Sequence, residues 1–209
     1  MKVCEIFGSI QGESSFAGLP CIFIRLSGCN LRCSYCDTTY AYNDGSEMSI
    51  EEVMGIIRRS GLYLVEITGG EPLLQKEVFP LIERLVEEGY KVLIETNGSI
   101  DLSNVHSEAT IIMDIKTPGS GMSSQMRLSN LSLLKSEDEI KFVFCNRRDY
   151  EWAREFITSH SLTDHKILFS PAFGMLDPEK LSRWIIEDRL NVRLNLQIHK
   201  YIFKSLRGV

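Results

Sequence analysis

Residues 21–38 read CIFIRLSGCNLRCSYCDT, a short apolar run followed at once by a cysteine-rich segment. The run 21–27 is rich in β-branched and aromatic residues and lies between a proline and a glycine, which predicts a buried strand. Three cysteines stand in the segment after it: Cys29, Cys33 and Cys36. Disulfides stabilise a protein by closing loops across its fold, and cysteines this close together do that poorly. The stretch therefore predicts a strand that carries a metal-binding loop at its carboxyl end.

The same strand pattern recurs along the chain. Six further apolar runs share it: 63–67, 91–95, 110–115, 140–144, 166–170 and 192–196. Helical patterns lie between several of these runs. One helix begins at a capping box formed by Ser49 and Glu52, a second ends at Gly89, and two more are predicted over 149–159 and 178–189. Strands that alternate with helices and are apolar on both faces predict an α/β fold with a mainly parallel sheet.

The length of the chain limits this architecture. A closed eight-fold barrel typically takes about 250 residues, and this chain has 209. We therefore expect a shortened or partial (β/α) barrel in which residues 1–209 form a single domain. Residues 117–130 interrupt the pattern with two glycines and four serines. This segment is either a lid over a site or a mobile surface loop.

The composition excludes several functional classes. The 23 basic and 28 acidic residues give a net charge of -5, which argues against a nucleic-acid partner. No run reaches the ~18 apolar residues of a membrane span, and residues 1–13 lack a signal-like apolar run. We therefore expect a cytoplasmic protein without disulfides. The other three cysteines lie in or near apolar runs and are expected to be buried thiols: Cys4, Cys21 and Cys145.

The spacing of the cysteine loop favours an iron–sulfur cluster. C-x3-C-x2-C lets one short loop wrap three thiolates around a cubane, whose usual fourth ligand is also a cysteine. Here the fourth iron is either bound by a distant residue or left open for another ligand. Structural zinc is the alternative, but it needs four protein ligands. None of the four histidines lies near the loop at a finger-like spacing.

Two motifs together resemble the radical S-adenosylmethionine superfamily. The cysteine loop matches C-x3-C-x-aromatic-C with Tyr35 as the aromatic residue, and the next predicted strand ends in TGGEP (68–72). In that superfamily a full or partial β/α barrel carries a 4Fe-4S cluster on the loop after its first strand. The resemblance implies that Cys29, Cys33 and Cys36 hold the cluster, and that the open iron binds S-adenosylmethionine. It also implies that the glycine-rich motif binds the methionine amino group and that a 5′-deoxyadenosyl radical forms.

The two ends of the chain narrow this resemblance to the 7-carboxy-7-deazaguanine synthases. The matching segments are SIQGE (9–13), GLP (18–20), FIRLSGCN (23–30), CDT (36–38) and QIHKYI (197–202). Ser14 departs from the family, in which a glycine often follows the QGE motif. The resemblance implies a lyase that converts 6-carboxy-5,6,7,8-tetrahydropterin to 7-carboxy-7-deazaguanine with loss of ammonia, in queuosine biosynthesis. It further implies Mg2+, a flavodoxin or ferredoxin as reductant, and a homodimer.

The resemblance also implies which residues bind the ligands. Substrate contacts are expected from Ile10, Gln11, Gly12, Glu13, Arg25, Thr68, His199 and Val209. S-adenosylmethionine contacts are expected from Tyr35, Cys36, Asp37, Gly70, Asp114, Ile115, Lys116, Ser170, Pro171, Ala172 and Phe173. Mg2+ is expected on Thr38.

For several of these residues the chemistry alone leaves an alternative open. Arg25 suits a substrate carboxylate because a guanidinium holds it through two hydrogen bonds, but an ordinary salt bridge is the alternative. Without the resemblance, Thr38 would merely end the cluster loop. Lys116 is equally compatible with a solvated charge, and His199 with a surface histidine.

Two other functions fit parts of the pattern. A radical-activating enzyme for a glycyl-radical protein has a similar opening, but it needs a groove for a peptide. The QGE motif and Arg25 suit a small acid instead. A zinc- or cluster-binding module without catalysis would leave TGGEP and SIQGE unexplained.

Overall fold

The structure, a computed structural model, describes residues 1–204 and 206–208. Its strands are β1 (Lys2–Ile10), β2 (Pro20–Leu26), β3 (Ser46–Glu47), β4 (Leu64–Gly69), β5 (Lys91–Thr96), β6 (Thr110–Ile115), β7 (Glu139–Phe144), β8 (Lys166–Pro171) and β9 (Arg193–Leu194). Its α-helices are α1 (Ile50–Ser60), α2 (Val78–Glu87), α3 (Arg147–Ser159), α4 (Pro178–Glu187) and α5 (Ile198–Phe203). Val209, which the sequence predicts as a substrate contact, lies outside the described residues.

All nine strands belong to one sheet, in the order β3-β1-β2-β4-β5-β6-β7-β8-β9. The strands from β2 through β4 to β9 run parallel to their neighbours. Only β1 runs antiparallel, against β2 on one side and β3 on the other. In the part of the chain that the structure describes, the edge strands β3 and β9 do not pair with each other. The sheet is therefore an open partial barrel, which confirms the predicted α/β fold.

Side chains that alternate along each strand divide the sheet into two faces. The outer face packs against α1 to α4, and its residues are fully buried, among them Ile24, Ile67, Ile94, Phe142 and Phe169. The inner face begins with a small apolar floor formed by Cys21, Leu64, Leu93, Ile112 and Leu168. Nearer the carboxyl ends of the strands, the inner face becomes polar and charged. This is the end at which barrel enzymes place their sites.

The helices begin where the sequence predicts. The Ser49 hydroxyl accepts a hydrogen bond from the Glu52 N–H at 3.2 Å, and the Glu52 carboxylate accepts one from the Ser49 N–H at 2.7 Å. This reciprocal pair satisfies two N–H groups at the start of α1. At the start of α4 the Asp177 carboxylate accepts a hydrogen bond from the Glu179 N–H at 2.9 Å, without a reciprocal bond, and Pro178 occupies the first turn.

The structure adds elements that the strand and helix patterns did not predict. β1 mixes Lys2, Glu5 and Gly8 with apolar residues, so the alternation of apolar and polar side chains along it is weak. Its pairing with β2 holds it in place. α5 follows the last strand and is only six residues long.

The segment 117–130 contains two 3-10 helices and the start of a third, at Pro118–Ser120, Ser123–Gln125 and Leu128–Leu133. Buried Asn130 donates to the carbonyls of Gly98 and Ile100, at 3.1 and 2.7 Å. The segment is thereby hydrogen-bonded to the loop after β5.

Two expectations from composition concern the cysteines and the membrane. Cys21 and Cys145 are buried as expected, whereas Cys4 is half-exposed, so the prediction of a buried thiol is wrong there. Among the described helices, none combines the length and the hydropathy of a membrane span.

Candidate active site

The loop after β2 brings the three predicted cluster ligands to the carboxyl edge of the sheet. Cys29, Cys33 and Cys36 are half-buried and not disulfide-bonded. Within residues 1–204 and 206–208, no three histidine, cysteine, aspartate or glutamate side chains converge closely enough to hold a single metal ion. A cubane binds each thiolate through a different iron, so its ligands stand further apart than those of one zinc ion. Within the described residues the three thiols therefore do not converge as the ligands of a single zinc ion would.

Two glycines let the end of β4 pack directly on this loop. Gly69 has a φ of 137°, a conformation that side chains other than glycine rarely adopt. A Cβ on Gly70 would lie 2.1 Å from the carbonyl oxygen of Gly28 and 2.8 Å from the Cβ of Cys29. Only glycine at position 70 permits this approach, so the TGGEP motif forms one wall of the cluster loop.

The glutamate of that motif, Glu71, is fully buried and holds neighbouring loops together. Its carboxylate accepts hydrogen bonds from the N–H of Leu73 at 3.0 Å and the N–H of Asn97 at 2.7 Å. The Thr96 hydroxyl donates to both carboxylate oxygens, at 2.9 and 3.0 Å. Glu71 thus joins the loops after β4 and β5 beside the cluster loop.

Replacing Glu71 with glutamine should destabilise the protein by about 1–3 kcal/mol. The new amide NH2 would face an N–H group that now donates to the carboxylate. Burial raises the pKa of Glu71 to about 7, although the Asn97 and Leu73 N–H groups oppose the shift. Because the folded pKa lies above the ordinary value of 4.5, the wild-type protein loses this contribution to stability as pH rises towards 7.

Denaturant unfolding at about pH 5 and about pH 8 should therefore show the larger penalty for Glu71→Gln at the lower pH. Exposed Glu77 at the start of α2 provides the control, since Glu77→Gln should change stability little at either pH. An equal penalty for Glu71→Gln at both pH values would contradict a buried carboxyl that titrates near neutrality.

A cavity of about 680 Å³ opens between the cluster loop and the ends of β4, β5 and β6. We call it the cluster cavity. It is lined by most of the predicted cluster and cofactor residues: Cys29, Cys33, Tyr35, Cys36, Gly70, Asp114 and Lys116. Thr68 and Thr96 also line it.

Buried polar atoms beside the cluster cavity fit a polar cofactor. Within the described ranges, the Tyr35 hydroxyl and Oδ1 of Asp114 are buried without a hydrogen-bond partner. Such atoms are costly unless a ligand or water satisfies them. Lys116 donates to Oδ2 of Asp114 at 2.7 Å. Burial lowers the pKa of Lys116, but Asp114, Tyr35 and Cys33 together outweigh it and raise the pKa, so Lys116 is a buried ion-pair partner and not a solvated charge.

A second cavity of about 580 Å³ lies deeper on the inner face of the sheet. We call it the inner cavity. It shares four lining residues with the cluster cavity: Arg25, Thr38, Thr68 and Glu95. The two cavities therefore adjoin, and a molecule in the inner cavity would lie next to a cofactor in the cluster cavity.

Lys141 is the central cation of the inner cavity. Its ammonium group lies 2.5 Å from Glu13 Oε2 and 2.6 Å from Glu95 Oε1. Thr68 donates to the other oxygen of Glu95 at 3.1 Å. Burial lowers the pKa of Lys141, but the two carboxylates outweigh it and raise the pKa. Lys141 thus holds carboxylates from the N-terminal loop and from β5 in one network.

Gln11 and Glu66 form the floor of the inner cavity, and both are buried. The Gln11 amide nitrogen donates to the Glu66 carboxyl, while its oxygen accepts from the Glu13 N–H at 2.6 Å. Burial, followed by the charges of Glu95 and Glu13, raises the pKa of Glu66. The amide of Gln11 is therefore fixed in orientation, and it holds the backbone of Glu13 in place.

Arg25 lines both cavities and is also ion-paired. Its Nε donates to Glu5 Oε1 at 2.8 Å, and β1 brings Glu5 opposite Arg25 in the antiparallel pairing. Among the described residues, no hydrogen bond uses the two terminal nitrogens of Arg25. Arg25 therefore forms the salt bridge that the sequence left open as its alternative, and a contact with a substrate carboxylate stays a prediction.

His199 lies against the N-terminal loop at the entrance to the inner cavity. The Ile198 N–H donates to the Gly12 carbonyl at 2.9 Å. A Cβ on Gly12 would lie 2.1 Å from Nδ1 of His199, so glycine is needed for this approach. Burial lowers the pKa of His199, which favours a neutral imidazole over a solvated surface histidine.

A third, outer cavity lies beside these two and contains other predicted residues. Its lining includes Ile10, Asp37, Thr38, Phe173 and His199. Lys200 donates to Asp37 Oδ2 at 2.5 Å and lies over the Phe173 ring at 4.4 Å. Thr38 borders all three cavities.

The remaining predicted cofactor residues do not line the cluster cavity. The Ile115 side chain is buried in the core on the outer face, and the Ser170 hydroxyl accepts from Asn195 at 2.8 Å. Ala172 packs with Tyr35, which lines the cluster cavity. Pro171 and the exposed Phe173 line a separate groove. The assignment of these residues to S-adenosylmethionine stays a prediction.

The sequence patterns did not single out as site residues four that line the inner cavity, Glu66, Glu95, Lys141 and Gln197, or Asn195, which bonds to Glu13. Asn195 and Gln197 both donate to Glu13, at 3.3 and 2.8 Å. For the three charged residues a signal was present. Glu66 and Lys141 are each the single charge of an otherwise apolar run, YLVEI and IKFVF, and Glu95 shares KVLIE only with Lys91 at the start of the strand. Such a charge faces the polar side of a sheet.

Comparison with known proteins agrees with this site. A model of the radical SAM superfamily matches residues 23–119, which include the cysteine loop and the TGGEP motif. A 7-carboxy-7-deazaguanine synthase from Koribacter versatilis is 48% identical over 97% of this chain and 97% of its own. That from Chlorobaculum tepidum is 44% identical over 100% of this chain and 97% of its own.

A solved structure also resembles this chain. The crystal structure of QueE from Escherichia coli superimposes with a TM-score of 0.75 at 26% identity, covering 94% of this chain and 93% of that one. The fold therefore recurs in a chain of similar length. With relatives this similar over their full length, the chain belongs to the family of the 7-carboxy-7-deazaguanine synthases.

Proposed function

We propose that this chain converts 6-carboxy-5,6,7,8-tetrahydropterin to 7-carboxy-7-deazaguanine, with release of ammonia, in the inner cavity. Membership of the family makes it a radical S-adenosylmethionine lyase of queuosine biosynthesis, with a 4Fe-4S cluster. The observation that supports the site is the junction of the two cavities, which share Arg25, Thr38, Thr68 and Glu95. A substrate at this junction is adjacent to the cofactor yet separated from the cluster loop.

In the cluster cavity we assign Cys29, Cys33 and Cys36 to the cluster, and Tyr35, Gly70, Asp114 and Lys116 to S-adenosylmethionine. When bound, these cofactors supply a 5′-deoxyadenosyl radical that abstracts a hydrogen atom from the substrate. The chain's own residues orient and shield the reactants. Gly70 permits close contact with the backbone, and the buried Asp114–Lys116 pair offers both an acceptor and a charge.

In the inner cavity the substrate carboxylate would contact cationic side chains, and the pterin ring would contact hydrogen-bond acceptors. The terminal nitrogens of Arg25 are suited to a carboxylate. Glu13 and Glu95 are held by Lys141, and their oxygens can accept from the amino and amide N–H groups of a pterin. A small cavity lined mostly by charged and polar side chains suits a small acid and not the peptide of a radical-activating enzyme.

The whole assignment is tested by activity. The protein is reconstituted anaerobically, reduced, and supplied with S-adenosylmethionine, Mg2+ and the carboxytetrahydropterin, and the deazaguanine product is measured. Absence of product from protein with an intact cluster would reject the assignment.

We assign a Mg2+ ion to Thr38, next to the substrate carboxylate. Thr38 lies where the three cavities meet, and its hydroxyl donates to Asp37 Oδ1 at 3.0 Å. Mg2+ usually has few protein ligands and completes its shell with water and substrate oxygens. A single hydroxyl beside a carboxylate substrate fits this pattern.

Replacing Thr38 with alanine should therefore weaken the binding of Mg2+, with about a tenfold rise in the Mg2+ concentration needed for half-maximal rate. Turnover is measured against Mg2+ concentration in the presence of excess substrate. Exposed Thr39 supplies the matched control, and Thr39→Ala should titrate like the wild type. An unchanged Mg2+ curve for Thr38→Ala would remove Thr38 from the metal site.

We also propose a flavodoxin or ferredoxin as reductant and a homodimer as the assembly. Exposed apolar side chains support an interface: Phe173, Met175 and Tyr201 line one groove and are 68, 54 and 66% exposed. Sedimentation of Tyr201→Glu against the wild type tests the dimer.

A further inference from the structure

Three side chains beside the cluster loop form a closed ring of hydrogen bonds. The Asn97 amide nitrogen donates to Asn30 Oδ1 at 3.1 Å, and the Asn30 amide nitrogen donates to the Ser99 hydroxyl at 2.8 Å. The Ser99 hydroxyl in turn donates to Asn97 Oδ1 at 2.6 Å. Asn30 immediately follows Cys29, so the ring joins the cluster loop to the segment after β5. We call it the Asn30–Asn97–Ser99 ring.

This ring fixes which way the Asn97 amide points. Its oxygen accepts from both the N–H and the hydroxyl of Ser99, at 3.0 and 2.6 Å. A flipped amide would place its NH2 group against the Ser99 N–H, which cannot accept a hydrogen bond. The NH2 group of Asn97 must therefore face the other way, where it lies 3.9 Å from Sγ of Cys29.

The backbone of Asn97 is held as firmly as its side chain. Its N–H donates to the buried Glu71 carboxylate at 2.7 Å, and Asn97 itself is buried. The same sulfur of Cys29 also accepts from the Leu31 N–H at 3.4 Å. Two N–H groups from separate segments thus point at one cysteine sulfur.

We propose that Asn97 is a positioning residue that raises the reduction potential of the cluster through its N–H contact with Cys29. The positive end of an N–H dipole stabilises the sulfur more when the cluster holds an extra electron, and hydrogen bonds to sulfur are among the features that set cluster potentials. The inference rests on Cys29 as a cluster ligand, but it does not depend on the identity of the substrate.

The test measures potential and not activity. Wild type and Asn97→Ala are reconstituted anaerobically, matched for iron and sulfide, and titrated with reductant while the reduced cluster is followed by electron paramagnetic resonance. We expect about a tenfold lower ratio of reduced to oxidised cluster in Asn97→Ala at a given potential, a shift of about -59 mV for a one-electron couple. In D2O, exchangeable deuteron couplings to the reduced cluster should also decrease in the variant.

Two further variants separate tuning from mere structural support. Ser99→Ala keeps Asn97 but releases its amide from the hydroxyl, so its potential should move in the same direction by a smaller amount. It also carries the test if Asn97→Ala does not assemble a cluster. Ser34→Ala is the control, because Ser34 bonds the cluster loop to the Gly119 carbonyl at 2.6 Å without an N–H donor, and its potential should equal that of the wild type.

Each outcome of these measurements decides whether Asn97 tunes the cluster potential. Unchanged potentials and deuteron couplings in cluster-containing Asn97→Ala or Ser99→Ala would overturn the proposal and leave the ring a structural support only. An equal shift in Ser34→Ala would also overturn it, since any loosening of the loop would then have the same effect. A wild-type protein that binds no cluster would reject the proposed ligands instead.

Discussion

A Cys33→Ala variant will lack the brown four-iron chromophore and will form no deazaguanine product. Cys33 is the middle of three thiols on one short loop, and an iron without its thiolate is exposed to solvent and readily lost. Cys21 cannot replace it, since it is buried in the apolar floor of the inner face, and Cys145 is a buried thiol that packs with Val143, Ala172 and Tyr35. The variant should still fold, because Cys33 is half-buried at the carboxyl edge and outside the main core.

The measurement is the visible and paramagnetic spectrum of the reconstituted variant, together with its iron and sulfide content. Cys4→Ala is the matched control: it removes a half-exposed thiol on β1 and should keep both the chromophore and the activity. Retention of a four-iron cluster in Cys33→Ala would overturn the ligand set. Loss of the cluster in Cys4→Ala would show that chromophore loss does not identify ligands.

The parallel part of the fold could be predicted because its signals are local. Each strand of the parallel sheet from β2 to β8 coincides with a predicted apolar run to within about two residues, and the capping box of Ser49 and Glu52 marks α1. β9 is shorter than predicted, at Arg193–Leu194. β1 has no comparable signal, since its side chains are mostly half-buried. Pairing with β2 determines its structure, and pairing between distant segments leaves no periodic trace.

The candidate site also has one part that local sequence signals predicted and another part that they could not predict. The cysteine loop and TGGEP are contiguous motifs, so spacing alone indicated them. The partners of Lys141 could not be found from spacing in the sequence, because Glu13 and Glu95 lie 128 and 46 residues away in the chain. They meet only because the loop after β1 and the strands β5 and β7 come together on the inner face of the sheet. Glu71 belongs to a motif that indicated a cofactor site, but its carboxylate accepts hydrogen bonds from Leu73, Thr96 and Asn97 instead.

The inner cavity depends on Lys141 more than on any other cation, and Lys141→Met should disable it while leaving the cluster cavity intact. Methionine preserves the length and most of the volume of the side chain but removes the charge that lies 2.5 Å from Glu13 and 2.6 Å from Glu95. Removing one partner of a buried ion pair costs about 3–5 kcal/mol, because the remaining charge is unpaired. Glu13 and Glu95 would repel each other or take up a proton, and either result displaces them from the substrate.

We therefore expect kcat/KM for the carboxytetrahydropterin to fall by at least about 100-fold in Lys141→Met. Reductive cleavage of S-adenosylmethionine without substrate should continue at the wild-type rate, because Lys141 does not line the cluster cavity. Lys166→Met is the control: Lys166 begins β8 at the opposite end of the sheet and is exposed, so both reactions should be unchanged. Wild-type kcat/KM in Lys141→Met would show that the charge network does not position the substrate. Loss of cofactor cleavage as well would show that the two cavities are not functionally separate.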